Sequence, residues 1–329
     1  MSSPPEGRAS GHPAGRLPDF YIVGHAKSGT TALYDMLRGH PQIYMPDNKE
    51  PWFFAGDMYP RFKPRMGDLP PASLDEYRRL FAGAGPGQMV GEASSSYLWS
   101  RTAAQAIAEV APEARIIAIL REPADFLRSL HLQLLQSHVE SVQDFRRALS
   151  LEPARRAGKR IPRRSHRPQL LLYSDHVHYT EQLRRYHDVF PAEQILVLIY
   201  DDFRADNEGT VRTVLRFLGA DDTAPVEVIR SNPSVRMRSQ QLDELLHSVT
   251  VGRDPIARGA KAAVKTLAPR AARRKLFRLV QRNVILGEPR PVDEEFMLEL
   301  RRRFKSEVVA VSEYLGRDLV ELWGYSDID

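Results

Sequence analysis

Lys27, Ser28, Gly29, Thr30 and Thr31 stand together in the run Gly24-His-Ala-Lys-Ser-Gly-Thr-Thr31, directly behind the apolar residues Phe20-Tyr21-Ile22-Val23. A strand that runs into a glycine-bracketed loop and then a helix presents backbone N–H groups and a helix N-terminus to an anion. An ATP-binding loop places Lys immediately after its second Gly, followed by Ser or Thr for Mg²⁺. Here Thr30 follows Gly29 and the lysine lies inside the loop. A second constellation begins where Ala114–Leu120 ends. Arg121 opens Arg-Glu-Pro-Ala-Asp-Phe-Leu-Arg-Ser129 at the strand end where a nucleotide-hydrolysing protein would hold metal with Asp. Pro123 suits the first turn of a helix, which puts Ser129 about two turns in. An Arg at a strand end with a hydroxyl on the next helix can clamp a phosphate. The two constellations describe a site that receives a negatively charged group without a metal.

The elements that must position these residues alternate. Strands are expected at 19–24, 88–91, 115–120 and 194–199, and helices at 29–38, 101–111, 123–138, 176–189 and 207–218. Such alternation predicts an α/β protein with a central parallel sheet flanked by helices in three P-loop-like layers. From about 238 onward helical patterns dominate. Leu276, Phe277, Leu279 and Val280 form one apolar stripe, and Phe296, Leu300, Phe304, Val308 and Val311 form another. Residues 1–18 read as a disordered start and 19–329 as one domain, with 151–170 a Pro- and Arg-rich loop insertion.

The composition narrows the classes. The chain has 329 residues, 42% of them apolar, enough for a sizeable core, and no cysteine, which excludes disulfides and zinc–thiolate sites. No apolar run is long enough to span a bilayer, and the first 18 residues lack the apolar centre of a secretory signal. A cytoplasmic protein is the expectation. The net charge of +5 is unevenly spread: 155–167 holds seven Lys/Arg and no acid, and 253–282 holds ten against Asp254 alone. Each run is either a solvated face or a surface for an acidic substrate or anionic membrane. Segment 255–282 is the candidate for peripheral membrane contact. No base-stacking motif points to nucleic acid, and oligomeric state is not readable.

The paired motifs resemble those of the sulfotransferases that use 3′-phosphoadenosine-5′-phosphosulfate (PAPS). That family has a K-x-G-T-T/R loop after its first strand and an R-x-P-x-x-x-x-x-S stretch later, matched by Lys27–Thr31 and Arg121–Ser129. His40-Pro41, Lys49-Glu-Pro-Trp-Phe-Phe54, Gly91-Glu-Ala-Ser-Ser-Ser-Tyr-Leu98, Tyr179 with Phe190-Pro191, Asn232–Leu242 and Leu315–Leu319 extend the likeness to the heparan sulfate and bacterial branch, over about 19–323. The resemblance implies sulfuryl transfer from PAPS, leaving the 3′,5′-bisphosphate (PAP), to an acceptor hydroxyl of a small natural product, glycolipid or saccharide, with no metal. It implies that Lys27 stabilises the leaving oxygen, that Ser28, Gly29, Thr30 and Thr31 hold the 5′-phosphate, and that Arg121 and Ser129 read the 3′-phosphate. Arg238 falls where the family closes a basic loop over the nucleotide, although the K-G-R form is absent.

The general base implied by the heparan-type motif is Glu50; as a plain surface residue it would pair with Lys49. Glu92 is the second carboxylate, followed by Ala93 where many relatives have Lys. His131, His138 and Tyr179 are acceptor-side candidates, each with a core role as the alternative. Arg163 and Arg164 in the basic insertion are candidates for gating or contacting the acceptor. His25 lies within the loop, where its backbone is the relevant part. Two other functions compete: a P-loop kinase or NTPase, and a non-catalytic protein that uses the basic segments on anionic surfaces.

Overall fold

The computed structural model describes residues 15–58, 70–162, 165, 167–228, 236–237, 286–287 and 293–329. Five strands form one sheet: β1 (Phe20–Gly24), β2 (Ile43–Tyr44), β3 (Met89–Ala93), β4 (Arg115–Leu120) and β5 (Ile195–Ile199). Their order is β2-β3-β1-β4-β5 and every pairing is parallel. Parallel strands need helical crossovers, so both faces are covered and the strand sequences are apolar throughout. All five residues of β1 are buried. Phe20, Ile22, Ile117 and Ile119 on one face pack with Leu33 and Leu37 of helix Thr30–Arg38 and with Val214, Leu215 and Leu218 of helix Asn207–Leu218. Burying each such side chain contributes about 1.5–3 kcal/mol, well above the ~0–1 kcal/mol of an exposed ion pair. Gly91 is opposite Phe20 because a Cβ there would come within 2.2 Å of the ring.

Helix boundaries follow local chemistry. Asp206 caps helix Asn207–Leu218 by accepting from Gly209 N at 2.8 Å, and Gly219 ends it in the left-handed region. Helix Glu294–Leu315 carries the predicted stripe, with Phe296, Leu300, Phe304, Val308 and Val311 all buried, and a short helix, Leu319–Leu322, follows. The α/β class, parallel sheet and helical C-terminal region are therefore as the sequence implies. The Leu276–Val280 stripe lies outside the described residues.

The chain divides into two compact units. The first comprises 1–126, 172–231 and 300–329 and holds the sheet; the second comprises 127–171 and 232–299. In the second unit the structure corrects the expectation of a loop at 151–170. Helix Glu152–Arg156 lies there, with Pro153 in its first turn, and a 3₁₀ turn spans Pro168–Leu171. Arg155 is part of no solvated face: it pairs with Glu140 at 2.7 Å, both side chains fully buried. Glu140 also accepts from Ser141 N and Val142 N, and Arg155 donates to Ala148 O. Arg236–Met237 pairs antiparallel with Leu286–Gly287, two-residue strands that no periodicity announces.

Candidate active site

The loop residues gather at the carboxyl ends of β1 and β4 in the first unit. Gly29 precedes helix Thr30–Arg38 with φ 89°, and no side chain caps the helix. A Cβ on Gly29 would meet the Phe203 ring at 2.7 Å, so both conformation and space demand glycine. The first intrahelical bond near the turn is Leu33 N to Gly29 O, 3.0 Å. The N–H groups of the preceding turn, Thr30 and Thr31 included, therefore have no intrahelical acceptor. Ser28 and Thr30 are buried while Thr31 is exposed.

Lys27 has a left-handed backbone, φ 62°. Arg121 Nη1 donates to Lys27 O at 3.0 Å and holds it there. The Arg121 guanidinium also lies over the Tyr200 ring, 4.7 Å from its centre, and Tyr179 donates its hydroxyl to Arg121 O at 2.9 Å. Burial, and then the nearby Arg121 charge, lower the Lys27 ammonium below its ordinary value. Two cations and an uncapped helix N-terminus converge on one spot, an arrangement that a polyanion relieves.

Glu50 stands at the end of the neighbouring strand β3, whose last residues fasten its segment. Glu50 N donates to Ala93 O at 3.1 Å, and Trp52 N donates to Ser94 Oγ at 3.1 Å. Both Glu50 and Trp52 are left-handed, φ 61° and 52°. Glu50 Oε1 accepts from Ser95 Oγ at 2.7 Å and from Lys49 Nζ at 3.1 Å. Its side chain remains 29% exposed. The Lys49 pair of the surface reading is therefore formed, and the carboxylate is oriented by two donors and partly exposed.

Other candidates take supporting places. Glu92 is fully buried; its Oε2 accepts from Tyr77 at 2.9 Å, and burial pushes the carboxyl up to about 7. It lies inside the protein, and Ser94 links it to the Glu50 segment. Tyr179 is also fully buried, with its ring 5.3 Å from that of His25, so it belongs to the core that holds Arg121. His25 bonds Gln182 Oε1 at 2.6 Å, and burial lowers its ring to about 4, which keeps it neutral.

Ser129 and His131 fall in the second unit on helix Pro123–Gln136, and both are buried. His131 bonds Val142 O at 2.9 Å beneath Phe145, and burial lowers it to about 4, a core role. His138, φ 58°, ends the same helical stretch, its N–H on Leu135 O. Arg163, Arg164 and Arg238 lie outside the described residues, as does 253–282. Sequence reasoning missed Tyr200 and Phe203, which only the fold brings to the loop. Ser95 stands within the Gly91–Leu98 motif, but its bond to Glu50 is seen only in the fold.

The fold is thus α/β, with a Lys–Arg pair at a glycine-bounded helix start on the carboxyl edge of its parallel sheet. The sequence profile described as the sulfotransferase family matches residues 94–224. Carbohydrate sulfotransferase 15 of Mus musculus is 28% identical over 254 residues, covering 61% of this chain and 44% of its own length. Heparan sulfate glucosamine 3-O-sulfotransferase 6 of Homo sapiens is 30% identical over 215 residues, covering 64% of this chain and 55% of its own. A solved sulfotransferase from Alicyclobacillus acidocaldarius is 26% identical with a TM-score of 0.65, covering 94% of this chain and 99% of that one. The chain spans less than half the length of the carbohydrate sulfotransferase 15 relatives. Over residues 94–224 in sequence, and in fold, the chain is similar to sulfotransferases.

Proposed function

We propose that the protein transfers a sulfuryl group from PAPS to an acceptor hydroxyl, and that the acceptor is a saccharide or a glycoside-like molecule. The observation that carries this reading is the convergence of Lys27 and Arg121 on the uncapped start of helix Thr30–Arg38. The acceptor class is supported by the names of the relatives, carbohydrate and heparan sulfate sulfotransferases.

PAPS supplies an activated sulfuryl group on a phosphate leaving group. The residues fit it: the loop N–H groups and Thr30 and Thr31 suit the 5′-phosphate, and Arg121 suits the 3′-phosphate. Ser129 is assigned to the same phosphate by the motif alone. Glu50, open on one side, takes the proton of the acceptor hydroxyl as that oxygen bonds sulfur. The bond from sulfur to the 5′-phosphate oxygen breaks, and Lys27 stabilises the charge left on that oxygen. Catalysis of such a loose, in-line transfer rests on positioning and charge, and the braced left-handed backbones of Lys27 and Glu50 provide the positioning.

Calorimetric titration without metal tests the donor site. Wild type is expected to bind PAP much more tightly than ADP. Arg121→Ala should weaken PAP about 10- to 100-fold, the loss of charge-assisted bonds of ~1.5–3 kcal/mol, and barely change ADP. Folded wild type that binds no PAP would refute the reading.

A further inference from the structure

The segment from Arg317 to Tyr325 reaches the anion site from behind through three attachments, all within the first unit. Tyr325 is fully buried and donates its hydroxyl to Glu122 Oε1. The same carboxylate accepts from Ala124 N at 3.0 Å and Asp125 N at 2.6 Å, with Arg301 Nε 3.8 Å away. Trp323 Nε1 donates to Asp201 Oδ2 at 3.0 Å. Arg317 grips Asp202 with two bonds, 2.5 and 2.8 Å.

Each partner is the chain neighbour of a residue that builds the site. Glu122 follows Arg121. Asp201 and Asp202 stand between Tyr200, which lies under the Arg121 guanidinium, and Phe203, which fills the space beside Gly29. An arginine has many rotamers to lose, and its bonds to a phosphate are directional. Its aim therefore depends on a fixed strand end and a fixed aromatic floor. Nothing local supplies both: β4 ends at Leu120, and Tyr200 opens a helix of six residues.

We propose that Tyr325, Trp323 and Arg317 are positioning residues that brace Glu122 and the Tyr200–Phe203 turn, and so set the preference of Arg121 for a 3′-phosphate. This rests on the nucleotide reading above. The brace acts through Arg121 and touches no nucleotide itself.

The test is calorimetry on the full chain with two probes, PAP and adenosine 5′-monophosphate, which lacks the 3′-phosphate. The proteins are wild type, Tyr325→Phe, Arg317→Gln, Arg121→Ala and the Arg121→Ala/Tyr325→Phe double variant. Tyr325→Phe is expected to weaken PAP about tenfold, the scale of one lost buried hydrogen bond, and to leave the monophosphate within about twofold. In the Arg121→Ala background the same change should add less than about twofold, because the residue it acts through is gone. Arg317→Gln breaks an exposed pair, which leaves folding intact, and should shift the PAP ratio in the same direction by a smaller factor. Equal weakening of both probes, or an undiminished loss in the double variant, would overturn the brace. Wild type that binds neither probe would instead remove the nucleotide reading beneath it.

Discussion

The loop 24–31 and the segment 49–54 sit at adjacent strand ends of one sheet, and they hold opposite charges by different means. The loop uses backbone: a left-handed Gly29, an uncapped helix start, and a lysine whose own carbonyl is tied to Arg121. The acid segment uses side chains from the next strand: Ser94 on Trp52 N, and Ser95 with Lys49 on the Glu50 carboxylate. In both, the proposed catalytic residue has a positive φ that costs about 1–2 kcal/mol. In both, a long-range hydrogen bond keeps it there. Conformation alone is therefore not what separates the two. The loop concentrates positive charge, with Lys27 beside Arg121, whereas the acid already has Ser95 and Lys49 as partners. Loss of a loop residue should appear in donor binding and bond cleavage, and loss of the acid in acceptor activation alone.

Glu50→Gln makes the sharpest cut between them. It keeps the shape and one acceptor oxygen for Ser95 but removes the proposed base. The expected fall in kcat is about 10³-fold, within the ~10²–10⁴ range of general-base catalysis, with PAP affinity unchanged by calorimetry. A Glu50→Gln enzyme that keeps wild-type turnover would move the base elsewhere and leave Glu50 as the surface partner of Lys49.

Lys27→Ala comes next, with kcat reduced by about 10²–10³-fold, the scale of one lost charge-stabilising donor. Unlike the acid variant, it should also weaken PAP. A pH series on wild type sharpens the point. The free protein holds Lys27 below its ordinary value through burial and Arg121, and a bound anion reverses that. PAP affinity should be flat while Lys27 is protonated and should decline as pH rises through its lowered value, before the usual 10.5. The alanine variant should lack this decline. A decline of the same size in both proteins would assign the titration to another group.

What the sequence disclosed about these two regions differs as well. The loop was readable because its chemistry is local: Gly29, Lys27 and the helix start lie within a few residues. Arg121 was readable because β4 is a continuous apolar run that ends at it. The helix expected at 207–218 forms with those bounds, and the structure shows Asp206 capping it and Gly219 ending it. The supports were not readable. Ser95 meets Glu50 across 45 residues, and Tyr200 meets Arg121 only because β5 lies beside β4. Helices Leu74–Arg79, Phe145–Ser150, Glu152–Arg156 and Tyr200–Ala205 are five or six residues long, too short for a 3.6-residue period to repeat convincingly. Arg155 shows the limit of charge counting. It sits in the most basic run of the chain and is nonetheless an interior residue, because Glu140 meets it there.

The smallest effect on catalysis, and the one that tests the floor of the acid segment, belongs to Glu92. Burial is the main cause that lifts its carboxyl from 4.5 to about 7; bonds from Ser94, Tyr77 and Tyr97 oppose the rise, and the Glu50 charge adds to it. The folded protein thus holds this proton more firmly than the unfolded chain does. The stability it contributes is fully present below about pH 4.5 and is lost as pH rises through about 7. A shift of this size corresponds to about 3 kcal/mol. Glu92→Gln is neutral at every pH and can still accept from Tyr77, so its urea-unfolding free energy should lack this decline between pH 5 and 8. Its kcat at pH 7 should stay within about tenfold of wild type, because Glu92 is fully buried and bonds the acid segment through Ser94 and Tyr97 rather than directly. Parallel pH profiles for the two proteins would show that Glu92 ionises at no cost. The acid segment would then rest on solvated ground, and the contrast with the buried, ligand-seeking loop would be deeper than the present structure makes it.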